Sequence, residues 1–274
     1  SDRALIHHGR RRKRSVGKFT PVAHQSGRCE KIAWRFGSCA VYRSHKLKRQ
    51  NINKGSIMTI EFHTWATPNG RKVGIMLEEL GLDYSVHTVN IGKDEQFAPT
   101  FLKISPNNRI PAIIDSDGPD GESFSVFESG AILIYLAEKY EKFLPASGVA
   151  RHRVMEWLMW QMGGVGPMLG QTHHFRRAAK VENPYGIERY TNESHRLYGV
   201  ADRQLANNAY LAGAEYSIAD MATFPWMARH EWHATDLDDF PNVKRWYAQV
   251  AARPAVQKGM AVPPVDYDPI PGLD

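Results

Sequence analysis

At 274 residues, 42% of them hydrophobic, the chain is long enough for one large domain or two ordinary ones with a real core. Its formal charge of +6 conceals a split: residues 1–57 hold 15 Lys/Arg against 2 Asp/Glu, a net of +13, so the remainder carries −7. Both cysteines, Cys29 and Cys39, lie in the basic part, which excludes a disulfide framework, a thiolate metal site and a protein thiol nucleophile from everything after Met58.

Residues 1–57 show no sustained periodicity, and Arg10–Arg14 and Lys46–Arg49 are charge blocks of the kind that stay solvated and disordered. Three readings compete for this extension: translated sequence upstream of a true start at Met58, a loose tail for nucleic acid or anionic surfaces, and an Arg-rich, acid-poor transit peptide. It lacks the apolar h-region of a secretory leader. No apolar run in the chain reaches the ~18 residues of a membrane-spanning helix.

From Thr59 to Trp65 an apolar alternation predicts a strand. Thr67 stands where an N-cap belongs and Pro68 at the first helical position, where its missing N–H costs nothing. Val73, Met76, Leu77 and Leu80 then recur at helical spacing up to Gly81, a C-terminal stop. Tyr84–Val89 reads as a second strand and Phe97–Ile104 as a short helical or irregular stretch. Ile110–Ile114 is an apolar run whose Pro111 must lie at an edge or special turn. Asp117–Gly121 is a dense turn signal before a strand at Phe124–Phe127 and a helix at Glu128–Lys139. This βαβ, ββα order predicts a thioredoxin-like α/β domain over 58–141, followed by a linker over 142–149.

Everything from 150 to 262 reads as an all-helical domain. Ala150–Met162 is amphipathic, Gly163-Gly164-Val165-Gly166-Pro167 is expected to interrupt it, and Gly170–Arg177 to resume it. Ile187–Leu205 is a long helix. Ser217-Ile218-Ala219-Asp220 has the form of a capping box, stapled by Tyr216, that opens a helix continued by Met221 to Trp232. Val243–Ala252 and a short helix from Pro254 complete the domain, with an irregular tail over 263–274. Trp157, Trp160, Trp226 and Trp232 read as core in preference to substrate-stacking surfaces. Adjacent His173 and His174 point about 100° apart on a helix, which suits one metal poorly. No metal ligand is assigned; the pair is expected to pack or to line the mouth of a cleft.

Three motifs in this order, Asn107-Asn108-Arg109-Ile110-Pro111-Ala112, Phe127-Glu128-Ser129-Gly130-Ala131-Ile132 and Ser217–Asp220, resemble those of the cytosolic glutathione transferases. Thr67-Pro68-Asn69-Gly70, Ser105–Asn108, Trp160-Gln161, Gly166–Gln171 and His173-His174-Phe175 are similar to the bacterial Nu class of that family. That class comprises glutathione-dependent disulfide-bond oxidoreductases related to a yeast nitrogen regulator. The resemblance spans 58–262 and leaves out the basic extension. It implies a glutathione transferase fold, bound glutathione in reduced or disulfide form, a homodimer with the cleft near its interface, and a cytoplasmic enzyme. Contact with nucleic acid is conceivable only through 1–57.

By resemblance, Thr67 and Asn69 would hold the glutathione sulfur, where a helix N-terminus and two donors favour thiolate. Without that resemblance Thr67 is a plain N-cap. Ile110 would pair its backbone with the cysteinyl part, exposed by a cis Pro111. Glu128 and Ser129 would take the γ-glutamyl end; by themselves they read as helix capping. Gln96 and Arg189 match further contacts of the Nu class. No tyrosine or serine lies between Phe62 and Gly70, so the hydroxyl those residues supply in other classes is missing there. The leading expectation is reduction of a small disulfide by sulfurs that glutathione carries. Conjugation of an electrophile or reduction of a hydroperoxide is the second, and a glutathione-binding regulator without turnover the third.

Overall fold

The computed structural model describes residues 60–272. The basic extension, with its cysteines and its three readings, lies outside the described residues.

Four strands, β1 (Ile60–Thr64), β2 (Tyr84–Thr88), β3 (Ala112–Asp115) and β4 (Phe124–Phe127), form one sheet in the order β2-β1-β3-β4. β1 and β2 run parallel, with Ile60 opposite Tyr84 and Thr64 opposite Thr88. The β1–β3 and β3–β4 pairs are antiparallel. Parallel β1 and β2 need a crossover, and α1 (Pro68–Leu80) provides it. Alternation along β1 sends Ile60 and Phe62 into the core, against Val73, Met76 and Leu77 of α1 and Ile132, Leu133 and Leu136 of α3 (Ser129–Lys139). A single turn, α2 (Pro99–Leu102), stands between β2 and β3. This is the thioredoxin-like arrangement the element order predicts.

Thr67 caps α1 and Gly81 ends it in the left-handed region at φ 68°. Gly70 through Leu77 are all buried, so the helix is enclosed on nearly every side. The helical domain does this. α9 (Pro254–Met260) lies against α1 at backbone distance: a Cβ on Gly259 would sit 2.4 Å from Ile75 N, and one on Gly74 2.7 Å from Gly259 O. Arg253, just before α9, forms a two-pronged ion pair with Glu79 of α1 at 2.6 and 2.9 Å.

The capping box at Ser217 opens α7 (Ile218–Met227). Wholly buried Asp220 accepts bonds from Ser217 N (3.1 Å), Leu211 N (2.9 Å) and Trp246 Nε1 of α8 (Pro241–Ala251; 2.9 Å). Burial holds its carboxyl above the usual range, and these donors work against that shift. α7 stops at Met227, short of Trp232; Trp232 itself stands in a short 3-10 turn, His230–His233. α6 (Pro184–Leu205) starts three residues earlier than its periodicity predicts, because Asn183 accepts from Gly186 N and Pro184 takes the first position.

The largest departure concerns Gly163–Pro167. This stretch does not interrupt the helix. α4 (Gly148–Trp160) passes through a π-turn, Gln161–Val165, into α5 (Gly166–His173), and a second π-turn covers His174–Ala178. In a π-turn the N–H groups reach back five residues, as Gly166 N does to Gln161 O. Pro167 has no N–H to lose near the start of α5.

Candidate functional site

The N-terminus of α1, the loop before β3, the start of α3, the π-turn and the end of α7 surround a cleft of about 880 Å³. Thr67, Asn69, Gln96, Ile110, Pro111, Glu128 and Ser129 all line it. These are seven of the eight residues the sequence singled out. Arg189 is not among them. It is exposed on α6 and lines a separate depression with Tyr190, Asn192 and Glu193. α6 turns that face away from the cleft, so within one chain the expected contact is not made.

At the head of α1, Thr67 Oγ1 accepts from Gly70 N at 3.3 Å, a long cap bond that leaves the hydroxyl proton free to donate. Pro68 has no N–H, and Arg71 N is already bound to Thr67 O at 3.0 Å. The Asn69 N–H is therefore the open backbone donor of the first turn. Trp226 Nε1 donates to Asn69 Oδ1 at 3.0 Å, which turns the carboxamide NH₂ outward as the free end. Trp226 is thus a positioning residue as well as part of the core margin. α5 makes room for it: a Cβ on Gly170 would lie 3.2 Å from the indole and one on Gly166 3.3 Å from its Nε1.

The Ile110–Pro111 peptide is cis. Ile110 precedes the first β1–β3 pair, Ala112 with His63, and among the described residues its N–H and C=O make no backbone bond. Ser105 Oγ donates to Arg109 O at 2.7 Å and steadies this loop. Glu128 adopts φ 68°, a left-handed conformation uncommon for a residue with a side chain, and accepts from Asn107 Nδ2 at 3.2 Å. Gln96 holds Asp94 weakly through its NH₂ at 3.4 Å, while its buried Oε1 has no partner.

Ser129 begins α3 and is 3% exposed. Its hydroxyl accepts from Lys72 Nζ at 3.3 Å; Lys72 also donates to Gln161 Oε1 at 2.7 Å and approaches Met162 Sδ at 3.4 Å. Lys72 is buried, and desolvation pulls its pKa down to about 7, with Glu128 opposing. On sequence alone a lysine on a helix reads as a solvated charge. Its place four residues after Pro68, on the same helix face, was the available signal. His173 lines the cleft, packed at 4.5 Å on Trp232, and burial foremost lowers its pKa. Trp226 lines the cleft while packing on the core, Trp232 is a cleft wall, contrary to the core reading, and Trp157 and Trp160 pack against each other and onto the core. Away from the cleft, ligand atoms of Glu61, His63 and His87 come within 4.8 Å of one another on adjacent strands.

The described residues fit an anionic, extended ligand. The helix N-terminus and the Thr67 and Asn69 donors suit a thiolate, the free Ile110 backbone suits a peptide, and Ser129, Glu128 and Gln96 suit its polar ends.

Comparison with known proteins agrees. Residues 66–139 match the family model for the glutathione S-transferase N-terminal domain, and 187–254 the model for the C-terminal domain. The chain is 48% identical over 202 residues to the disulfide-bond oxidoreductase YfcG of Escherichia coli, covering 73% of this chain and 94% of that one. It is 39% identical to YghU, a second disulfide-bond oxidoreductase of that bacterium, covering 74% of each. A Pseudomonas putida glutathione transferase, solved with one glutathione disulfide bound per subunit, superposes with a TM-score of 0.72 at 46% identity, covering 75% of this chain and 92% of that one. With the thioredoxin-like sheet, the capping box of α7 and the cleft between them in place, the chain belongs to the glutathione S-transferase family.

Proposed function

We propose that this protein is a glutathione-dependent disulfide-bond oxidoreductase. One observation carries the reading: a cleft with open donors at the N-terminus of α1 stands in a chain with no cysteine from Met58 to Asp274. Bound glutathione supplies the reacting thiols, two of them reducing one disulfide to two thiols and leaving as glutathione disulfide. Thr67 Oγ1 and the Asn69 amides donate to the thiolate. Ile110 pairs with the peptide backbone. Ser129 donates to the γ-glutamyl carboxylate, and Glu128 accepts from its ammonium group. Lys72, beneath Ser129, places a titratable cation under that end of the site. Similarity to YfcG and YghU supports this reading, as does the glutathione disulfide bound by the Pseudomonas putida neighbour.

The same reading carries Nu-class membership, a homodimer, a cytoplasmic setting and the domain division 58–141 and 150–262. Arg189 keeps its assignment only if a second subunit brings α6 to the cleft. The test is a coupled assay in which glutathione reductase reports glutathione disulfide formed from 2-hydroxyethyl disulfide. Turnover well above the no-enzyme rate is expected. The no-enzyme rate together with turnover of an aromatic halide or a hydroperoxide would assign the cleft to conjugation or peroxide reduction. Tight glutathione binding with no turnover at all would assign it to regulation.

A further inference from the structure

The far wall of the cleft holds an electrostatic anomaly. Arg71, on α1, is wholly buried, and Arg229, just past α7, is 5% exposed. Among the described residues neither forms an ion pair with a carboxylate. Both instead donate to one phenol oxygen: Arg71 Nη2 to Tyr267 Oη at 2.9 Å, and Arg229 Nη2 to the same atom at 2.7 Å. Both also stand over its ring, at 5.4 and 4.8 Å, and Arg229 stands 4.2 Å from the centre of the Trp232 ring. Arg71 Nε and Nη1 and Arg229 Nε are buried without partners. Arg177 adds a third cation on Trp232 at 4.8 Å and, among the described residues, makes no ion pair either. Of the two acids flanking Tyr267, Asp268 accepts from Ile270 N at 2.8 Å.

Two desolvated guanidinium groups sharing one phenol oxygen and no carboxylate are costly, because a buried charge needs an opposite charge or full hydrogen bonding. Burial first, and then the charge of Arg229, depress the pKa of Arg71. A carboxylate in the cleft would accept from the Arg229 fork in the planar geometry it favours, and its charge would offset that of Arg71 behind the shared phenol oxygen. Arg229, Tyr267, Trp232 and His173 line the same cleft as Thr67 and Asn69, so an anion held there would be part of whatever the sulfur site acts upon.

We propose that Arg229 and Tyr267, with Arg71 buried behind them on the same phenol oxygen, form a carboxylate subsite that selects disulfide substrates bearing an acidic arm, with Trp232 packing along that arm. This deepens the proposed activity and rests on it. The tail residue Tyr267 holds the two cations in place while the subsite is empty of substrate.

The experiment compares three symmetrical disulfides with the full chain: the dianion 3,3′-dithiodipropionate, neutral 2-hydroxyethyl disulfide and dicationic cystamine. Expected is a kcat/KM for the dianion at least about tenfold above that for the cation, and above that for the neutral compound. For Arg229→Gln the ratio of dianion to neutral kcat/KM should fall about tenfold, mainly through KM. Equal kcat/KM values in the wild type, or an unchanged ratio in the variant, would overturn the subsite. Adipate, a dicarboxylate without sulfur, needs no variant: it should bind the wild type in calorimetry and compete with the dianionic disulfide. No binding, or competition with glutathione alone, would overturn the substrate assignment, the latter by giving the carboxylate to glutathione. Absence of turnover with all three disulfides would instead sink the oxidoreductase reading, while adipate binding still reports on the arginines.

Discussion

Thr67 caps α1 and is proposed to hold the glutathione sulfur; one substitution mixes those two tasks and a second separates them. Its cap bond is long, so loss of the cap should cost about 0.5–1 kcal/mol, while a hydrogen bond to a charged atom is worth about 1.5–3 kcal/mol. Thr67→Ala should therefore lower kcat/KM for a disulfide by roughly 10–100-fold with only a small fall in thermal midpoint. Thr67→Asp restores a cap but sets a negative charge against a thiolate, so it should recover stability and lose more activity. Equal activity in the two variants would remove the sulfur role. Thr67 and Pro68 were legible in the sequence because capping is local, a matter of four consecutive residues. Lys72 was not, because its burial comes from Gln161 and Met162, some ninety residues away. Its native pKa of about 7 lies below the ordinary lysine value, so between pH 7 and about 10.5 the unfolded chain binds more protons. Lys72 then contributes stability that rises with pH through that window, and its full burial cost applies below pH 7. Lys72→Met should gain most over the wild type below pH 7 and lose that advantage by pH 10, as read from urea midpoints across pH. An advantage that grows with pH would contradict the assignment.

Among elements, α1 does the most, and its neighbours explain why glycine stands where it does. Gly259 lets α9 touch α1 at backbone distance, and Gly74 faces it. Gly259→Ala would drive a methyl group to 2.4 Å from Ile75 N, with backbone on the opposing side unable to rotate away. Overpacking of this kind costs about 1–3 kcal/mol, so the thermal midpoint should drop by several degrees. An unchanged midpoint would show that α9 slides freely on α1. Helix existence was readable from periodicity and caps; the π-turn at Gln161–Val165 was not. Three glycines and a proline in five positions read as a break when only local propensity is considered. In the fold, the wider turn brings Gln161 to Lys72 and leaves Gly166 and Gly170 flat beneath Trp226, the residue that orients Asn69. Tertiary contact outweighed propensity there, as packing commonly does in helices.

For the molecule as a whole, removal of residues 1–57 should leave glutathione-dependent disulfide reduction within about twofold of the full chain, since every residue assigned to the cleft lies between Ala66 and Tyr267. Loss of folding or of glutathione binding on truncation would give the basic extension a structural task. Arg189→Ala should raise the KM for glutathione if a second subunit delivers α6 to the cleft, with light scattering reporting a dimer. An unchanged KM would remove Arg189 from the site. By itself the sequence determined the order of elements, the caps of α1 and α7, and the lack of a thiol nucleophile after Met58; its resemblance to the glutathione transferases pointed to the residues of the cleft's inner side. Those are encoded by neighbours in the chain, or by the absence of cysteine from residues 58–274. Only the tertiary structure decided that Lys72 is buried, that Trp226 aims Asn69, and that Arg71, Arg229 and Tyr267 meet. Their burial and charge balance are set by groups 38 to about 200 positions apart, and no local pattern records which distant segment will take the water's place.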